Sequence, residues 1–393
     1  MHHSVKKAVL KPGKEVSLLR KHPWVFSGAI QELDDAYVGD WVQVFDSRNK
    51  LLGTGQVGDG SIAIRMVAFE AIEPTVEFWK NKLQNCLNLR IHLGFGINTP
   101  TTAFRLVHGE GDNLPGLIID IYNDCAVIQA HSLGMYNSLN HIAEALEQLN
   151  HLALKTIYNK SFAAMHGTVD EDGFLLGDTA ETIAKENGML FKVNWVTGQK
   201  TGFFLDQRDN RALLKQFSKN RSVLNTFCYT GGFSVAALEG GANRVVSADI
   251  SQTAINLANE NAALLTLQKD QTHEGLVVDV MKYLNEDSEQ FDIVVLDPPA
   301  FAKSLSKKHK AVMGYKRLNA MGLKRVKPGG LLFTFSCSQV VDDVLFANTV
   351  TAAGIEAGRN CRILYRLGQG ADHPVNLYHP EGHYLKGLVI QVE

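Results

Sequence analysis

Residues 223–234 read VLNTFCYTGGFS, an apolar run that ends in a glycine turn. Glycines at a strand-to-helix turn let a ligand approach the backbone closely. Further apolar runs follow at 244–249, 276–279, 291–296 and 330–335, and helical stretches such as 251–267 and 308–326 separate them. Strands that alternate with helices predict βαβ units and a parallel sheet covered on both faces, to which 384–390 adds an edge strand. The predicted fold class is therefore α/β, with a Rossmann-like sheet in the C-terminal part.

Carboxylates at the ends of these runs indicate a nucleoside cofactor. Asp249 follows Gly231 by 18 residues and ends the second run, where an acidic residue can bind both hydroxyls of a ribose. Asp279 ends the third run, within reach of an adenine amino group. The G-x-G-x-x-G and G-x-x-x-x-G-K-[ST] patterns are absent, which favours a cofactor without a pyrophosphate, S-adenosylmethionine. The alternative for each carboxylate is a helix cap.

A carboxylate and a thiol follow two further runs. Asp297 begins the motif DPPAF, and Cys337 lies in the motif SCS. Ligands collect at the carboxyl ends of parallel strands, so we expect an acid/base group and a nucleophile in one pocket. The alternative for Cys337 is a small buried residue after a core strand, and Cys228 is assigned to packing.

Bulk composition excludes several classes of protein. The net charge of -2 and pI near 6.7 argue against a protein that coats nucleic acid along its whole surface. Five cysteines without a CxxC pair predict free thiols in a reducing cytoplasm, with no disulfide framework and no metal site. No run approaches the roughly 20 apolar residues of a membrane span, and a signal peptide is absent, so a cytoplasmic protein is expected.

The length of 393 residues predicts two or three domains. Residues 1–70 contain short strands broken by glycine, typical of a small β-barrel, and a basic aromatic segment with Lys21 and Trp24 that suits single-stranded RNA. A solvated charged edge with two core aromatics is the alternative. Residues 71–189 predict an α+β domain with helices at 73–93 and 137–149, and residues 190–393 hold the Rossmann-like domain.

The glycine turn, Asp249, Asp279 and the DPP motif at successive strand ends resemble a class I S-adenosylmethionine-dependent methyltransferase. More narrowly, five motifs resemble the bacterial large-subunit ribosomal RNA 5-methylcytosine methyltransferases: KHPWVFSG at 21–28, GFFLDQR at 202–208, DPPAF at 297–301, FSCS at 335–338 and DHP at 372–374. The resemblance covers essentially the whole chain. It implies an N-terminal PUA domain, a central α+β domain and a C-terminal Rossmann-like domain.

The resemblance also implies site residues and partners. Cofactor contacts fall on Phe204, Asp206, Arg208, Phe227, Tyr229, Gly231, Asp249, Ile250, Asp279, Val280 and Asp297. RNA contacts fall on Lys21, Trp24, Phe301, Lys303 and Lys307, the last two in a basic run for which a solvated helix face is the alternative. The expected partner is 23S ribosomal RNA or a large-subunit precursor, and a homodimer is one expected assembly.

The predicted chemistry starts from carbon 5 of a pyrimidine, which is a poor nucleophile. Addition of the Cys337 thiolate to carbon 6 makes carbon 5 enamine-like, while Asp297 holds or protonates the N3/N4 edge of cytosine. The base that removes the carbon-5 proton stays open between a water and a carboxylate such as Asp297.

Three alternatives stay open at this point. Many RNA 5-methylcytosine enzymes carry a second cysteine after the proline of the aspartate motif, where this chain has Pro299 and Ala300. A single cysteine is closer to the 5-methyluridine RNA enzymes. An aromatic soon after Asp-Pro-Pro, here Phe301, is typical of exocyclic-amine methyltransferases. A non-catalytic RNA-binding factor for ribosome assembly is the third alternative.

Overall fold

The computed structural model describes residues 6–286, 289–302 and 304–393. The chain forms two compact units. Unit 1 comprises the residues up to 185, 193–203 and 371–382, and unit 2 comprises 186–192, 204–370 and 383–393. Lys303, predicted to contact RNA, lies outside the described residues. The predicted domain boundaries at 70 and 189 stay a prediction.

Unit 1 begins with a six-stranded sheet. Its strands are β1 Lys6–Leu10, β2 Trp24–Phe26, β3 Ile30–Leu33, β4 Trp41–Phe45, β5 Leu51–Val57 and β6 Ile62–Ala68, with the short helix α1 Val16–Leu19. The strand order is β2-β6-β5-β4-β1-β3. The two outer strands pack into the same apolar core through Val25 and Leu33, so the sheet curls around that core. The short strands predicted within residues 1–70 are confirmed.

The rest of unit 1 is the predicted α+β part. A five-stranded sheet has the order β11-β10-β9-β8-β7. Its strands are β7 Ala103–His108, β8 Leu117–Tyr122, β9 Cys125–Ala130, β10 Thr156–Asn159 and β11 Gly173–Leu176, and its helices are α2 Val76–His92, α3 Leu133–Asn137 and α4 Leu139–Glu147. The helix predicted at 137–149 is α4, which begins at Leu139 after a break at Ser138, whereas α3 before that break was not predicted. The hydroxyl of Ser138 donates to the Gly134 carbonyl one turn earlier (2.8 Å).

A two-stranded sheet that was not predicted comes next in the chain. Its strands are β12 Glu181–Glu186 and β13 Met189–Asn194. Asn187 and Gly188 connect the two strands in the left-handed conformation, with φ of 50° and 83°. Asparagine followed by glycine is the usual sequence for such a two-residue turn.

Unit 2 contains a seven-stranded sheet of order β16-β15-β14-β17-β18-β20-β19. Its strands are β14 Ser222–Thr226, β15 Arg244–Asp249, β16 Thr272–Val277, β17 Phe291–Leu296, β18 Val326–Ser336, β19 Cys361–Leu367 and β20 Lys386–Val392. Its helices are α5 Arg208–Phe217, α6 Gly232–Glu239, α7 Gln252–Ala263, α8 Val280–Glu286, α9 Lys308–Lys324 and α10 Asp343–Ala357. The strands β14 to β18 pair in parallel, which confirms the predicted α/β class.

Successive residues of the central strands enter different cores. Val223 and Ile293 belong to one apolar cluster, whereas their neighbours Leu224 and Val294 belong to another. Alternate side chains of a strand point to opposite faces, so the sheet is covered on both sides as predicted.

Two strand predictions were wrong. The predicted edge strand at 384–390 is β20, which pairs antiparallel with both β18 and β19 and therefore lies inside the sheet. The edge is β19, whose six exposed residues, with charged Arg362 and Arg366, hide the strand pattern in the sequence. The strand predicted at 276–279 is β16 and ends at Val277, because Asp279 already caps α8. No helix of the described residues has the length and apolarity to cross a membrane.

Candidate active site

The carboxyl ends of the parallel strands of unit 2 form one edge of the sheet. Leu296 of β17 lies opposite Thr226 of β14 and opposite Thr334 of β18. The residues that follow these strands, including Asp297 and Cys337, therefore leave the sheet at the same edge. The sequence predicted this placement, since the order of parallel strands fixes which ends meet.

The turn after β14 has an unusual backbone. Phe227 and Tyr229 take positive φ angles of 53° and 46°, and Gly231 takes 75°. A Cβ on Gly231 would lie 2.9 Å from the Cβ and 3.0 Å from the Cα of Ala258. Strained backbone of this kind clusters at ligand sites. Cys228 in the same turn is buried against Ile255 and Ala258, as its assignment to packing predicts.

Substitution of Gly231 by alanine tests this turn. We expect the affinity for S-adenosylhomocysteine, measured by calorimetry, to fall about tenfold or more, because the left-handed conformation and the contact with Ala258 together strain the turn. Gly241→Ala is the matched control. Gly241 has φ of 84° but no neighbour nearer than 3.7 Å, so its substitution strains the backbone away from the turn. Equal affinities of the two variants would contradict this role.

Asp249 ties the turn to the next strand. Its Oδ2 accepts from the Tyr229 amide (3.1 Å), and its Oδ1 accepts from the Ser251 amide (3.0 Å). The carboxylate is half-buried and held by one donor on each oxygen, which leaves lone pairs for two hydroxyl groups. The next residue, Ile250, is 72% exposed and offers an uncovered apolar side chain. This set fits a nucleoside-bearing cofactor.

Asp279 is a helix cap, the alternative considered above. Its Oδ1 accepts from the amides of Met281 and Lys282, at 2.9 and 3.1 Å, at the start of α8. Val280 is buried in the core beneath it. The capping role leaves Oδ2 uncommitted, so the prediction that Asp279 meets a base is compatible with this geometry and untested by it.

Residues 204–208, which belong to the GFFLDQR motif, are held in place by contacts within unit 2. The Phe204 ring meets the Tyr229 ring edge to face at 5.3 Å, and the Phe204 carbonyl accepts from Arg211 (2.8 Å). Arg211 also forms a buried bidentate ion pair with Glu186, at 2.7 and 2.6 Å. Arg208 is buried at the start of α5. These contacts fix residues 204–208 beside the glycine turn.

Asp206 was predicted as a cofactor residue, and the structure also brings its charge to Asp297 and Cys337. Its Oδ2 accepts from the Tyr384 hydroxyl (2.7 Å), while its buried Oδ1 has no hydrogen-bond partner. The charge of Asp206 raises the pKa of both Asp297 and Cys337. Two carboxyls and one thiol therefore lie close enough to influence one another's ionisation.

Asp297 is a carboxyl that is partly protonated near neutral pH. Burial, and then the negative charge of Asp206, raise the pKa of Asp297 to about 7, against opposing effects of Arg211 and of a hydrogen bond from Gln207. A carboxyl with such a pKa can both donate and accept a proton at neutral pH. Asp297 is partly exposed to solvent, so a ligand can reach it.

Cys337 is a partly exposed free thiol. Burial, followed by the charges of Asp297 and Asp206, raises its pKa to about 11, while Lys386 lowers it. The thiol is therefore protonated at neutral pH and needs a proton acceptor before it can act as a nucleophile.

Three residues near this pair were missed in the sequence: Lys386, Tyr384 and Tyr315. Tyr315 is fully buried in α9, and burial raises its pKa to about 12. Its ring packs against Phe301 at 4.6 Å. Phe301, predicted to stack on RNA, thus rests on the core in the described structure. The signal that could have revealed Lys386 is a lysine at the start of the apolar run of β20.

The predicted RNA residues divide between the units. In unit 1, the Lys21 ammonium lies 4.5 Å from the centre of the Phe69 ring, and Trp24 Nε1 donates to Glu110 (2.9 Å). In unit 2, Lys307 ends a short 3-10 turn before α9. The last residue of β2, Phe26, has 47% of its surface exposed.

The cysteine-based prediction of no metal site did not consider histidines. In unit 1 the ligand atoms of His22, His379 and Glu381 lie within 4.8 Å of one another. The Nδ1 of His22 is already engaged by the Trp24 amide (3.2 Å), and the Glu381 side chain is 58% exposed. His22 lies more than 350 positions before His379 and Glu381 in the sequence, so no local pattern indicated this grouping.

The DHP motif at 372–374 has a structural role in unit 1. Asp372 Oδ2 accepts from the Arg105 amide (2.9 Å), its Oδ1 pairs with His373 (2.9 Å), and its carbonyl accepts from Arg90 (2.9 Å). Arg90 also forms a buried bidentate pair with Asp112, at 2.7 and 2.6 Å. This network anchors residues 371–382 to the five-stranded sheet.

Comparisons with known proteins agree with this geometry. The chain matches a family described as S-adenosylmethionine-dependent methyltransferase over residues 105–358, and a PUA-like domain over residues 8–69. Ribosomal RNA large subunit methyltransferase I of Tolumonas auensis is 40% identical over 97% of this chain and 98% of its own length. The protein of the same name from Alteromonas mediterranea is 41% identical over 98% of each.

Solved structures extend the likeness to the fold. SMU.776, described as a methyltransferase candidate and solved in complex with SAH, superposes with a TM-score of 0.83 at 25% identity, over 99% of this chain and 100% of its own. A Streptococcus mutans structure described in similar terms gives the same TM-score at 24% identity. The likeness spans both units.

Proposed function

The chain belongs to the S-adenosylmethionine-dependent methyltransferases, in the family named ribosomal RNA large subunit methyltransferase I, and from this premise we propose that it methylates carbon 5 of a cytosine in 23S ribosomal RNA. S-adenosylmethionine supplies the methyl group. The residues assigned to hold it are Phe204, Asp206, Arg208, Phe227, Tyr229, Gly231, Asp249, Ile250, Asp279, Val280 and Asp297. The proposal includes a covalent adduct between the base and Cys337.

The proposal is carried by a carboxyl with a raised pKa, Asp297, that leaves the sheet at the same edge as the Cys337 thiol. With a pKa of about 7, Asp297 can donate a hydrogen bond to N3 of cytosine, which is an acceptor. Uridine carries a proton on N3 and requires an acceptor at that position instead. The raised pKa of Asp297 makes available the protonated form that cytosine requires, which a carboxylate with the usual pKa would not offer at neutral pH. An exocyclic-amine reaction would leave the thiol of Cys337 without a role.

In the proposed reaction, the Cys337 thiol loses its proton and its sulfur forms a bond to carbon 6. The electron pair of the 5,6 double bond moves toward the N3 edge, where the Asp297 proton stabilises it, and carbon 5 becomes nucleophilic. After methylation, a base removes the carbon-5 proton, the double bond re-forms and the thiolate leaves. We assign removal of the thiol proton to Asp206, whose Oδ1 is buried and has no hydrogen-bond partner. Asp206 releases this proton to solvent before it takes the carbon-5 proton, and the proton at the N3 edge returns to Asp297 as the thiolate leaves.

RNA binding is proposed for both units. Lys21 and Trp24 in the PUA-like part combine a cation with an aromatic ring, as single-stranded RNA requires. Lys303, Lys307 and Phe301 follow the DPP motif in the chain, where cations would neutralise phosphates next to the flipped base. We further propose a cytoplasmic site of action, where ribosomes assemble, and a homodimer, which sedimentation velocity would test.

The test is to identify the product. Ribosomal RNA and large-subunit particles from cells that lack this protein are incubated with it and with methyl-labelled S-adenosylmethionine, then digested to nucleosides for mass spectrometry. We expect the label in 5-methylcytidine. Label in 5-methyluridine or on an exocyclic nitrogen would overturn the assignment to cytosine carbon 5. No label in either substrate, from protein that binds S-adenosylhomocysteine, would favour the ribosome-assembly factor.

A further inference from the structure

A buried lysine lies beside the proposed nucleophile. Lys386 is the first residue of β20, and it pairs with Ser336, the last residue of β18, in the antiparallel register. Cys337 follows Ser336 directly. Lys386 is only 3% exposed, although lysine is among the residues that proteins rarely bury without a charged partner. The burial of this charged side chain therefore needs a physical explanation.

The ammonium of Lys386 is anchored to the backbone on both sides of the site. Its Nζ donates to the carbonyl of Ser338 (2.8 Å) and to the carbonyl of Tyr384 (2.7 Å). The first contact holds the residue directly after Cys337. The second holds Tyr384, whose hydroxyl donates to Asp206. One side chain thus positions the thiol and the tyrosine that orients the neighbouring carboxylate.

Two of the three N–H donors of Lys386 are used by these carbonyls. Among the described residues, no carboxylate lies within 4.0 Å of Nζ, so the buried positive charge lacks an ion-pair partner. Burial lowers the pKa of Lys386, while the negative charges of Asp343, the Cys337 thiolate and Asp342 act to raise it. A buried cation without a partner is costly, and a transient anion at Cys337 would offset that cost.

The charges around Cys337 oppose one another. The carboxylates Asp297, at the end of β17, and Asp206, in the 204–208 segment, both disfavour a thiolate, and Tyr315 of α9 is a neutral phenol. Lys386 is the cation that acts in the other direction.

We propose that Lys386 is a positioning residue for the methyl transfer, whose buried ammonium holds the turn of Cys337 and stabilises the thiolate that adds to carbon 6. This inference rests on the proposed function, since it assigns Cys337 as the nucleophile. The thiolate forms by loss of the sulfur proton, and no electron is gained or lost.

The test measures the thiol directly and does not require methyl transfer. Full-length protein is alkylated with iodoacetamide between pH 7.5 and 10.5, and the rate at Cys337 is followed by peptide mass spectrometry, which separates it from the other four cysteines. We expect Lys386→Met to slow alkylation of Cys337 at pH 8.5 by about tenfold, which corresponds to a rise of about one pKa unit. Lys386→Arg, which retains the charge, is expected to restore most of the rate.

A control variant and two further measurements separate the effect of the Lys386 charge from a loss of folding. Lys327→Met removes a cation from the opposite end of β18 and is expected to leave alkylation of Cys337 unchanged. In methyl transfer, Lys386→Met is expected to lower kcat more than it changes KM for RNA, and S-adenosylhomocysteine binding reports on its folding. If Lys386→Met does not fold, Lys386→Gln, which retains an N–H donor but no charge, replaces it.

An unchanged alkylation profile in a folded, neutral Lys386 variant would overturn the inference. Failure of the proposed function would look different. In that case Cys337→Ala would retain methyl transfer, whereas the alkylation rate of Cys337 would still differ between the wild type and Lys386→Met.

Discussion

Replacement of Cys337 by alanine is expected to reduce methyl transfer to ribosomal RNA by about 10⁴-fold or more, as expected when a covalent nucleophile is removed. Without sulfur addition at carbon 6, carbon 5 of the base stays a poor nucleophile. Since the side chain is partly exposed and small, folding should change little. The measurement is single-turnover transfer of labelled methyl groups, with S-adenosylhomocysteine affinity as the folding control.

Cys361→Ala is the matched control for that experiment. Cys361 is an exposed thiol in the edge strand β19 and has no part in the proposed site. We expect this variant to methylate at the wild-type rate. Normal methylation by Cys337→Ala would remove the nucleophile assignment and, with it, the proposed adduct.

Replacement of Asp297 by asparagine is expected to have two effects of different origin. Methyl transfer should fall by roughly 10² to 10⁴-fold, because the amide cannot exchange a proton with the base. Stability should rise at alkaline pH. The pKa of Asp297 is about 7 in the folded protein against a usual value of 3.8, so the folded state retains the proton more strongly than the unfolded state.

This difference between the folded and unfolded pKa of Asp297 determines how stability changes with pH. Stability of the wild type falls as the pH rises from about 4 to about 7, and the full loss, about 4 kcal/mol as an upper estimate, is present above pH 7. Asparagine has no such ionisation. Urea unfolding should therefore show Asp297→Asn to be more stable than the wild type at pH 8.5, with a difference that shrinks by more than half at pH 5.

Asp292→Asn, a substitution within β17, is expected to change the stability of the protein in the opposite direction. Burial opposes ionisation of Asp292, but hydrogen bonds from Ser222 and Lys327 lower its pKa below the usual value. Its removal should destabilise the protein at both pH 8.5 and pH 5. If Asp297→Asn were also destabilising at pH 8.5, the carboxyl of Asp297 would not have the raised pKa on which the proposed donation to N3 of cytosine rests.

The sequence was sufficient to place Asp297 and Cys337 together, because both follow apolar runs whose parallel order is set by the βαβ pattern. It also predicted the glycine turn and Asp249, since a strand-to-helix turn with glycines has few other uses. These positions depend on local pattern and on the handedness of the crossovers, which are properties of short stretches of chain.

Other features depend on pairing across long separations. The insertion of β20 between β18 and β19 puts Lys386 opposite Ser336, and no local pattern in the sequence distinguishes this order from an edge strand. The proximity of Asp206 to Asp297 likewise joins segments that are 91 residues apart. The assignment of residues 371–382 to unit 1 depends on buried contacts of Asp372 that composition does not reveal.

The central claim is the covalent adduct, and one measurement tests it most directly. The protein is incubated with S-adenosylmethionine and large-subunit ribosomal RNA in which cytosine is replaced by 5-fluorocytosine, where fluorine blocks the removal of a proton from carbon 5. Digestion with protease and nuclease followed by mass spectrometry locates the attachment. We predict a nucleotide attached to the peptide that contains Cys337. Methylation of unmodified RNA without any adduct on the fluorinated RNA, or an adduct at another cysteine, would contradict the account.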